Sequence, residues 1–226
     1  MIEHLYLTSL GMFAYVVIYV PLTLLVSWAA DKYLLRKFAP KQARRWITGV
    51  LMLALVTAPL WDVYYIGLQA KQVCRTYGGL HVYKKGVAEG FIHGDISFWS
   101  KRGFKYTEGV GMGDKKLRFS VRDGKVVEKE ITEFASQYAV QSGADQRPIG
   151  HRFTRNSVRV VNLRTHEVLG ELVKIFVYPG WFDRLVIGAT GTGSGFSPWT
   201  CGNEPPAGRQ EELNYKDVVE ATLVPG

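Results

Sequence analysis

Residues 5–30 read LYLTSLGMFAYVVIYVPLTLLVSWAA, a run of 26 positions without a charged side chain. At about 1.5 Å of rise per residue, a helix of this length exceeds the roughly 30 Å hydrocarbon core of a bilayer. Pro21 would break a helix in water, but a membrane helix tolerates it as a kink because neighbouring groups satisfy the freed carbonyl. Tyr6 and Trp28 lie near the two ends, where aromatic rings favour the membrane interface. The run predicts a transmembrane helix.

A cleavable signal peptide is the main alternative for this run. Such a peptide has a basic amino-terminal region and a shorter apolar core. Here the region before the run is MIEH, and the end at Trp28, Ala29 and Ala30 matches a small-residue cleavage site poorly. We therefore expect the helix to remain in the protein.

A second apolar run covers residues 46–68, WITGVLMLALVTAPLWDVYYIGL. Its uncharged part, residues 46–61, is slightly short for a span, and Asp62 follows it directly. We expect the last turn to enter the headgroup layer, with Asp62 facing water and an aromatic belt formed by Trp61, Tyr64 and Tyr65. The alternative makes Asp62 an intramembrane carboxylate on a proton or ion path.

The segment between the two runs, residues 31–45, predicts the orientation. It holds six Lys and Arg residues against one Asp, whereas the amino-terminal tail has none. Basic loops are retained in the cytoplasm. Residues 1–68 are thus expected to form a transmembrane helical hairpin, with residues 69–226 as an extracytoplasmic domain. Because the chain also lacks an N-x-S/T sequon, we expect a bacterial inner membrane protein whose carboxy-terminal domain faces the periplasm.

The two cysteines, Cys74 and Cys201, are consistent with this placement. Neither belongs to a C-x-x-C motif or to a Cys/His cluster of zinc spacing. Two separated cysteines in a translocated domain predict a disulfide bond. The alternative is two unrelated buried thiols in a cytoplasmic domain.

The region beyond residue 78 has strand patterns and turn residues. Residues 117–122 alternate apolar and polar side chains, Asp123 and Gly124 supply a tight turn, and residues 125–131 return, which predicts a β-hairpin. Residues 156–163 and 168–178 predict a second hairpin. The expected fold class is membrane-anchored α+β, with two transmembrane helices followed by a mostly antiparallel, β-rich extracytoplasmic domain.

Less regular segments complete the prediction for this domain. Residues 131–140 are its best helix candidate, residues 181–185 predict a short helical turn, residues 188–210 a loose loop, and residues 215–224 a last strand or extended segment. The expected core consists of large aromatic side chains: Trp99, Phe104, Phe119, Phe134, Phe153, Phe176 and Trp181.

Motifs for catalysis, metals and cofactors are scarce. The chain has no HExxH, no G-x-S-x-G and no P-loop, and the glycines of residues 188–195 lack a βαβ context. We expect no cofactor and no metal. The formal net charge is +8, but the basic residues of the domain form separated pairs rather than a stripe, so no nucleic-acid binding is expected.

Two functional hypotheses remain. The first is a non-enzymatic, membrane-anchored interaction protein, an accessory or structural subunit of a bacterial envelope complex, with membrane lipid and other envelope proteins as partners. Its candidate anchors are Phe196 and Trp199, because aromatic side chains dominate interface hot spots. The alternative is an envelope enzyme with a site near His81, His93 and Asp95, since a His/Asp pair can do acid–base work.

Overall fold

The computed structural model describes residues 7–35, 40–93, 95–143, 146–191, 198–205 and 211–226. Contacts divide the chain into two units. The helical unit comprises Met1–Val73 and Val177–Trp199, and the sheet unit comprises Cys74–Phe176 and Thr200–Gly226. The chain passes from one unit to the other three times, after Val73, Phe176 and Trp199, and residues 177–199 group with the apolar helices.

The helical unit contains two helices that are long and apolar enough to cross a membrane, Ser9–Tyr33 and Lys41–Tyr77. The first consists of α1, a π-helical turn, α2 and a second π-helical stretch: Ser9–Ala14, Tyr15–Tyr19, Val20–Ala29 and Ala30–Leu35. Pro21 follows the first π-helical turn. This is expected because proline has no N–H to donate to the carbonyl four residues earlier.

The second apolar helix, α3 (Lys41–Tyr77), is longer than the sequence predicted and continues through Asp62 without a break. Near its start it contacts the first helix through an ion pair of 2.9 Å between Arg44 Nε and Asp31 Oδ1. Thr48 Oγ1 also donates to Asp31, at 3.2 Å. The third helix of the unit, α5 (Trp181–Thr190), replaces the expected short turn and includes Gly188, which was predicted to lie in a loop.

The sheet unit is built on strands β1 to β12, which are, in chain order, Gly79–Val82, Gly86–Ala88, Gly90–Ile92, Tyr106–Val110, Lys116–Arg122, Lys125–Glu130, Tyr138–Ser142, Arg147–Ile149, Phe153–Asn162, Val168–Val177, Trp199–Cys201 and Leu223–Pro225. Most of them form a large mixed sheet with the order β1-β10-β9-β7-β3-β4-β5-β6, in which β11 also pairs with β10 and β8 with β9. A small second sheet pairs β12 with β2 in parallel.

Both predicted hairpins are confirmed: β5 and β6 flank Asp123-Gly124, and β9 and β10 flank residues 163–167. The large sheet is mixed rather than purely antiparallel, because β3 runs parallel to both β4 and β7, whereas pairs such as β4–β5, β5–β6 and β7–β9 are antiparallel. Between β3 and β4 lies the short helix α4 (Ile96–Trp99), whose N-cap Asp95 accepts a hydrogen bond from the Ser97 N–H at 3.1 Å. This crossover lets the next strand run in the same direction as β3.

The helix predicted at residues 131–140 is absent from this described stretch. The backbone N–H groups of Ala135 and Ser136 donate instead to the buried carboxylate of Glu108, which also accepts from Arg118. Strand β7 then begins at Tyr138. A long-range acceptor thus replaces the hydrogen bonds that a helix would have made.

The core of the sheet unit lies around three aromatic side chains in edge-to-face contact, Phe91, Trp99 and Phe104. Helix α6 (Tyr215–Thr222) packs Val218 and Val219 into the same cluster. A helix here, rather than the expected extended segment, follows from a capping box: Asn214 accepts from Lys216 N–H, and Asp217 accepts from Asn214 N–H.

Of the predicted core aromatics, Trp99, Phe104 and Phe153 are buried, and Phe119, Phe134 and Phe176 are half-buried. Trp181 belongs to the helical unit and is exposed, so its assignment to the core of the sheet was wrong.

Candidate functional site

The polar contacts of the helical unit converge on α5. Asp183 is fully buried, and its two carboxylate oxygens accept from the backbone N–H and the side-chain hydroxyl of Thr8, at 2.7 and 2.6 Å. The same hydroxyl accepts from Gly11 N–H at 2.9 Å and so caps α1. One threonine therefore starts the first apolar helix and attaches α5 to it.

Gly11 is the residue that lets α5 come this close. A Cβ at this position would overlap the Asp183 carboxylate, and it would lie 3.2 Å from a methyl group of Leu7. Small residues allow helices to pack closely inside membranes. The sequence gives no local sign of this contact, because α5 lies more than 160 residues further along the chain.

Asp62 has a role that neither sequence interpretation anticipated. Its Oδ2 accepts from the backbone N–H of Trp181 at 2.9 Å, at the first residue of α5. The first N–H groups of a helix have no partner within the helix, and an acceptor there also interacts favourably with the helix dipole. Asp62 thus fixes the amino-terminal end of α5 to the second apolar helix.

Pro59 explains a second set of contacts between the apolar helices. Proline inside a helix removes the N–H that would bind the carbonyl four residues earlier, here that of Leu55. The hydroxyl of Tyr19 donates to the Leu55 carbonyl at 2.9 Å, and the hydroxyl of Tyr15 donates to the neighbouring Val56 carbonyl at 2.8 Å. The first helix thus supplies the donor that the Leu55 carbonyl lacks, and it adds a second hydrogen bond at Val56.

The two tyrosines also contact α5. Their rings stack on each other at 5.8 Å, and both meet the ring of Phe182 edge-on, at 6.1 Å for Tyr15 and 5.2 Å for Tyr19. Phe182 and Val186 pack in one apolar cluster with Leu7, Ala14 and Val63. Each of the three helices therefore contributes to a single packed core.

In the sheet unit, Cys74 and Cys201 lie at disulfide distance, with Cα atoms 5.9 Å apart, within the usual range for a bridge. Backbone segments approach closely beside them. A Cβ on Gly78 would lie 2.8 Å from the Cα of Gly202, which itself has a φ of +86°. Glycine suits both positions because no side chain fits at the first and the second adopts a left-handed conformation.

The two predicted partner-binding residues have different outcomes. Phe196 lies outside the described residues. Trp199 begins strand β11, which pairs with β10, and its side chain is half-buried.

The structure separates the three residues of the hypothetical enzyme site. His81 lies on β1, and three strands (β10, β9 and β7) stand between it and β3, which ends at the residue before His93. At about 4.8 Å per strand spacing, this corresponds to roughly 19 Å. Asp95 stays close to His93 but is the N-cap of α4.

His93 stacks on Tyr215 with ring centroids 4.4 Å apart. Within the described part of the chain, its Nδ1 has no hydrogen-bond partner. Burial lowers the pKa of His93, nearby Asp95 opposes this and Lys216 adds to it. The net lowering favours the neutral imidazole near neutral pH.

A charged cluster on β9 and β10 was not found from the sequence. The buried Glu171 carboxylate accepts from Tyr83 Oη at 2.8 Å, from Arg155 Nη2 at 2.8 Å and from Arg159 Nε at 2.9 Å. Burial raises the pKa of Glu171, but hydrogen bonds from Tyr83 and Arg159 and the charges of both arginines outweigh it, so the pKa lies below its ordinary value. The i, i+4 spacing of the arginines on a strand was the signal, but their partner is on another strand.

No group of three or more His, Cys, Asp or Glu side chains that could hold a metal ion occurs among the residues that the structure describes. The chain matches no family model, no curated protein and no solved structure.

Proposed function

We propose that the chain is an integral membrane protein whose helical unit anchors the sheet unit to one face of a bilayer. The observation that carries the proposal is the distribution of side chains in the helical unit. Large apolar side chains point outward along both long helices, among them Trp61, which is 70% exposed, whereas Thr23, Ser27 and Asp183 are buried. In water this arrangement would expose a large apolar surface, but in a bilayer lipid tails cover it.

The contacts of the first helix support an anchor rather than a signal sequence that is removed. Removal of this helix would take away the Thr8 donors from Asp183 and the tyrosine donors from the carbonyls of Leu55 and Val56. Unsatisfied polar groups cost several kcal/mol each in a bilayer, where water cannot replace the lost partner. The helical unit therefore depends on the first helix.

For the orientation, we propose that the sheet unit faces the periplasm of a bacterium and that the segment between the apolar helices faces the cytoplasm. Six basic residues in that segment support this orientation. The proximity of Cys74 and Cys201 supports it independently, because disulfide bonds persist in oxidising compartments.

Reporter fusions test the orientation. Alkaline phosphatase, which folds only where disulfides form, should be active when fused after Gly226 and inactive when inserted at Pro40. A fluorescent protein that matures only in the cytoplasm should give the opposite pattern at the same two sites. Active phosphatase at Pro40 with none at Gly226 would reverse the orientation.

A disulfide bond between Cys74 and Cys201 is the second part of this proposal. The chain-entropy model gives about 4 to 5 kcal/mol for the long loop that such a bond would close. Non-reducing electrophoresis of the native chain should show a faster band that shifts on reduction, and Cys201→Ser should migrate like the reduced chain without treatment. Rapid alkylation of both native thiols without reductant would contradict the bond.

We further propose that the protein acts through binding rather than catalysis, as an accessory or structural subunit of an envelope assembly. The described residues support this role in two ways: the chain combines two long apolar helices with a sheet unit, and the half-buried Trp199 begins β11, the strand that ends at Cys201. The segment with Phe196 and Trp199 remains the candidate contact for a partner.

The variant Trp199→Ala tests the binding role. A hot-spot tryptophan would lose partner affinity by about 2 kcal/mol or more with little change in melting temperature. A ring that serves only the fold would cost about 3 to 5 kcal/mol of stability. Met112→Ala, at a position of the sheet unit that is 94% exposed, is the control and should change neither. Unchanged stability together with unchanged recovery of cross-linked partners would exclude this segment as the contact.

A further inference from the structure

Helix α5 differs from the other helices of the chain because it has an apolar exposed face but is too short to span a membrane. Trp181, Leu185 and Ala189 recur every four residues and are all exposed, Leu185 to 62%. Residues at this spacing form one stripe along a helix. The opposite face, with Phe182, Asp183 and Val186, is buried.

The depth at which α5 contacts the first apolar helix can be read from its partners. Asp183 binds Thr8, immediately before that helix begins, whereas Phe182 reaches the ring of Tyr19. Tyr19 lies ten residues beyond Ser9, which is about 15 Å along a helix. Since the hydrocarbon core is roughly 30 Å thick, the contacts of α5 extend over about half of it.

The polar groups of α5 fit the same environment. Its two carboxylate contacts, Asp183 with Thr8 and Asp62 with the Trp181 N–H, face the other helices. Polar groups inside membranes are turned inward in this way and paired. The exposed side has one charged side chain, Arg184, and an arginine stem is long enough to carry its charge to lipid headgroups.

We propose that α5, which lies between β10 and β11 in the sequence, is a third membrane element. It is a half-length helix that enters the outer leaflet, where lipid covers its exposed stripe. The exposed apolar surface of α5 belongs to the same unit as that of the two long helices. This inference rests on the proposed membrane anchoring, since lipid covers the stripe only if the neighbouring helices span a bilayer. A periplasmic domain would then be fixed to the membrane at two places in its sequence.

Thiol accessibility in vesicles tests this proposal. Full-length Leu185→Cys is reconstituted into phosphatidylcholine–phosphatidylglycerol vesicles, and a charged maleimide is introduced on both sides by freeze–thawing. The thiolate is the reacting species and forms poorly in apolar surroundings, so labelling should be slower than at a water-exposed control by a factor of about ten or more. Mass spectrometry locates the label, which separates it from any reaction at the native cysteines.

Two control variants separate failure of this inference from failure of the anchoring. Val126→Cys, exposed on β6 of the sheet unit, should react rapidly, and Leu25→Cys, exposed in the middle of the first apolar helix, should be protected. Protection of Leu25→Cys with rapid reaction of Leu185→Cys overturns the placement of α5 alone. Rapid reaction of Leu25→Cys overturns the anchoring as well.

A second copy of the chain packed on α5 would protect Leu185→Cys from labelling in the same way as lipid, so the two must be separated. Dilution of the protein in lipid should leave the protection unchanged, and protection lost on dilution would contradict the lipid contact. If Leu185→Cys does not fold, Ala189→Cys occupies the same stripe and should give the same result.

Discussion

The helical unit and the sheet unit place their apolar side chains in opposite ways. In the sheet unit, Phe91 and Trp99 are fully buried, while the side chains of the β6 strand are exposed and mostly charged. In the helical unit, many of the large apolar side chains on the two long helices are exposed, whereas Asp183, Thr23 and Ser27 are buried. This contrast is what the proposed membrane anchoring predicts for a chain with one unit in lipid and one in water.

The two units also differ in how their polar groups find hydrogen-bond partners. Water can complete hydrogen bonds at the surface of a domain, so the sheet unit leaves ion pairs such as Lys105–Glu89 exposed. Surface pairs of this kind contribute little to stability because water screens them. In the helical unit, the carbonyls beside Pro59 and the first N–H of α5 are instead bonded by side chains of a neighbouring helix. Inside a bilayer, where no water is present, backbone polar groups need such partners within the protein.

The largest expected effect on stability comes from a comparison of two tryptophan-to-alanine variants, one in each unit. Trp99→Ala should destabilise the sheet unit by about 3 to 5 kcal/mol, because it leaves a cavity among Phe91, Phe98 and Phe104. Trp61→Ala removes a ring of the same size that is exposed, and it should leave sheet-unit unfolding unchanged. Thermal unfolding of the full chain in detergent, followed by near-ultraviolet circular dichroism, measures both. Equal losses would remove the distinction between the two units.

Two glycines test the close packing within the helical unit. Gly11→Ala should displace the Asp183 carboxylate and destabilise the attachment of α5 by about 2 to 3 kcal/mol, at the upper end of overpacking effects. Gly49→Ala has nothing within 4 Å of the new methyl group and serves as the matched control. Amide hydrogen exchange of α5 should be faster in the first variant and unchanged in the second. Identical exchange in both would show that α5 does not pack on Gly11.

The smallest effect concerns a buried charge in the sheet unit. Glu171→Gln should cost about 1.5 to 2 kcal/mol at neutral pH, because bonds from Tyr83, Arg155 and Arg159 lose a charged acceptor. Since the pKa of Glu171 is lower in the folded state, its contribution is complete above the ordinary carboxyl pKa and is lost as the pH falls through the folded value.

The pH dependence gives the decisive comparison for Glu171. Stabilities of the native chain and of Glu171→Gln should converge as the solution is acidified, when measured by denaturant unfolding at a series of pH values. Glu89→Gln, which alters an exposed ion pair, should show a much smaller difference. A constant gap between the native chain and Glu171→Gln down to low pH would contradict the role of the charge.

Local patterns were sufficient to predict much of the fold. Residues 117–131 carried both strand alternation and an Asp-Gly turn, and the apolar runs marked both long helices, so these elements were found. The parallel strands were missed because a crossover depends on α4, a helix of four residues that is too short to show a period. The capping box at Asn214 and Asp217 was a local signal that could have revealed α6.

The contacts of the helical unit could not have been derived from local patterns. Asp62 was interpreted from its immediate neighbours, but its acceptor role requires the N–H of Trp181, over a hundred residues later. Trp181 was placed in the core of the sheet only as one of the large aromatic side chains of the predicted domain. Hydrophobicity alone does not distinguish a ring that faces lipid from one that faces a protein core.

The central claim is that the first apolar helix is a permanent part of a membrane-embedded unit. Alkaline carbonate extraction of membranes, followed by mass spectrometry of the extracted chain, tests it most directly. We predict that the chain stays in the membrane pellet and yields peptides that contain Thr8 and Gly11. Release into the supernatant, or a membrane-bound chain that lacks every residue up to Ala30, would contradict the account, because Asp183 and the Leu55 carbonyl would then have lost their partners.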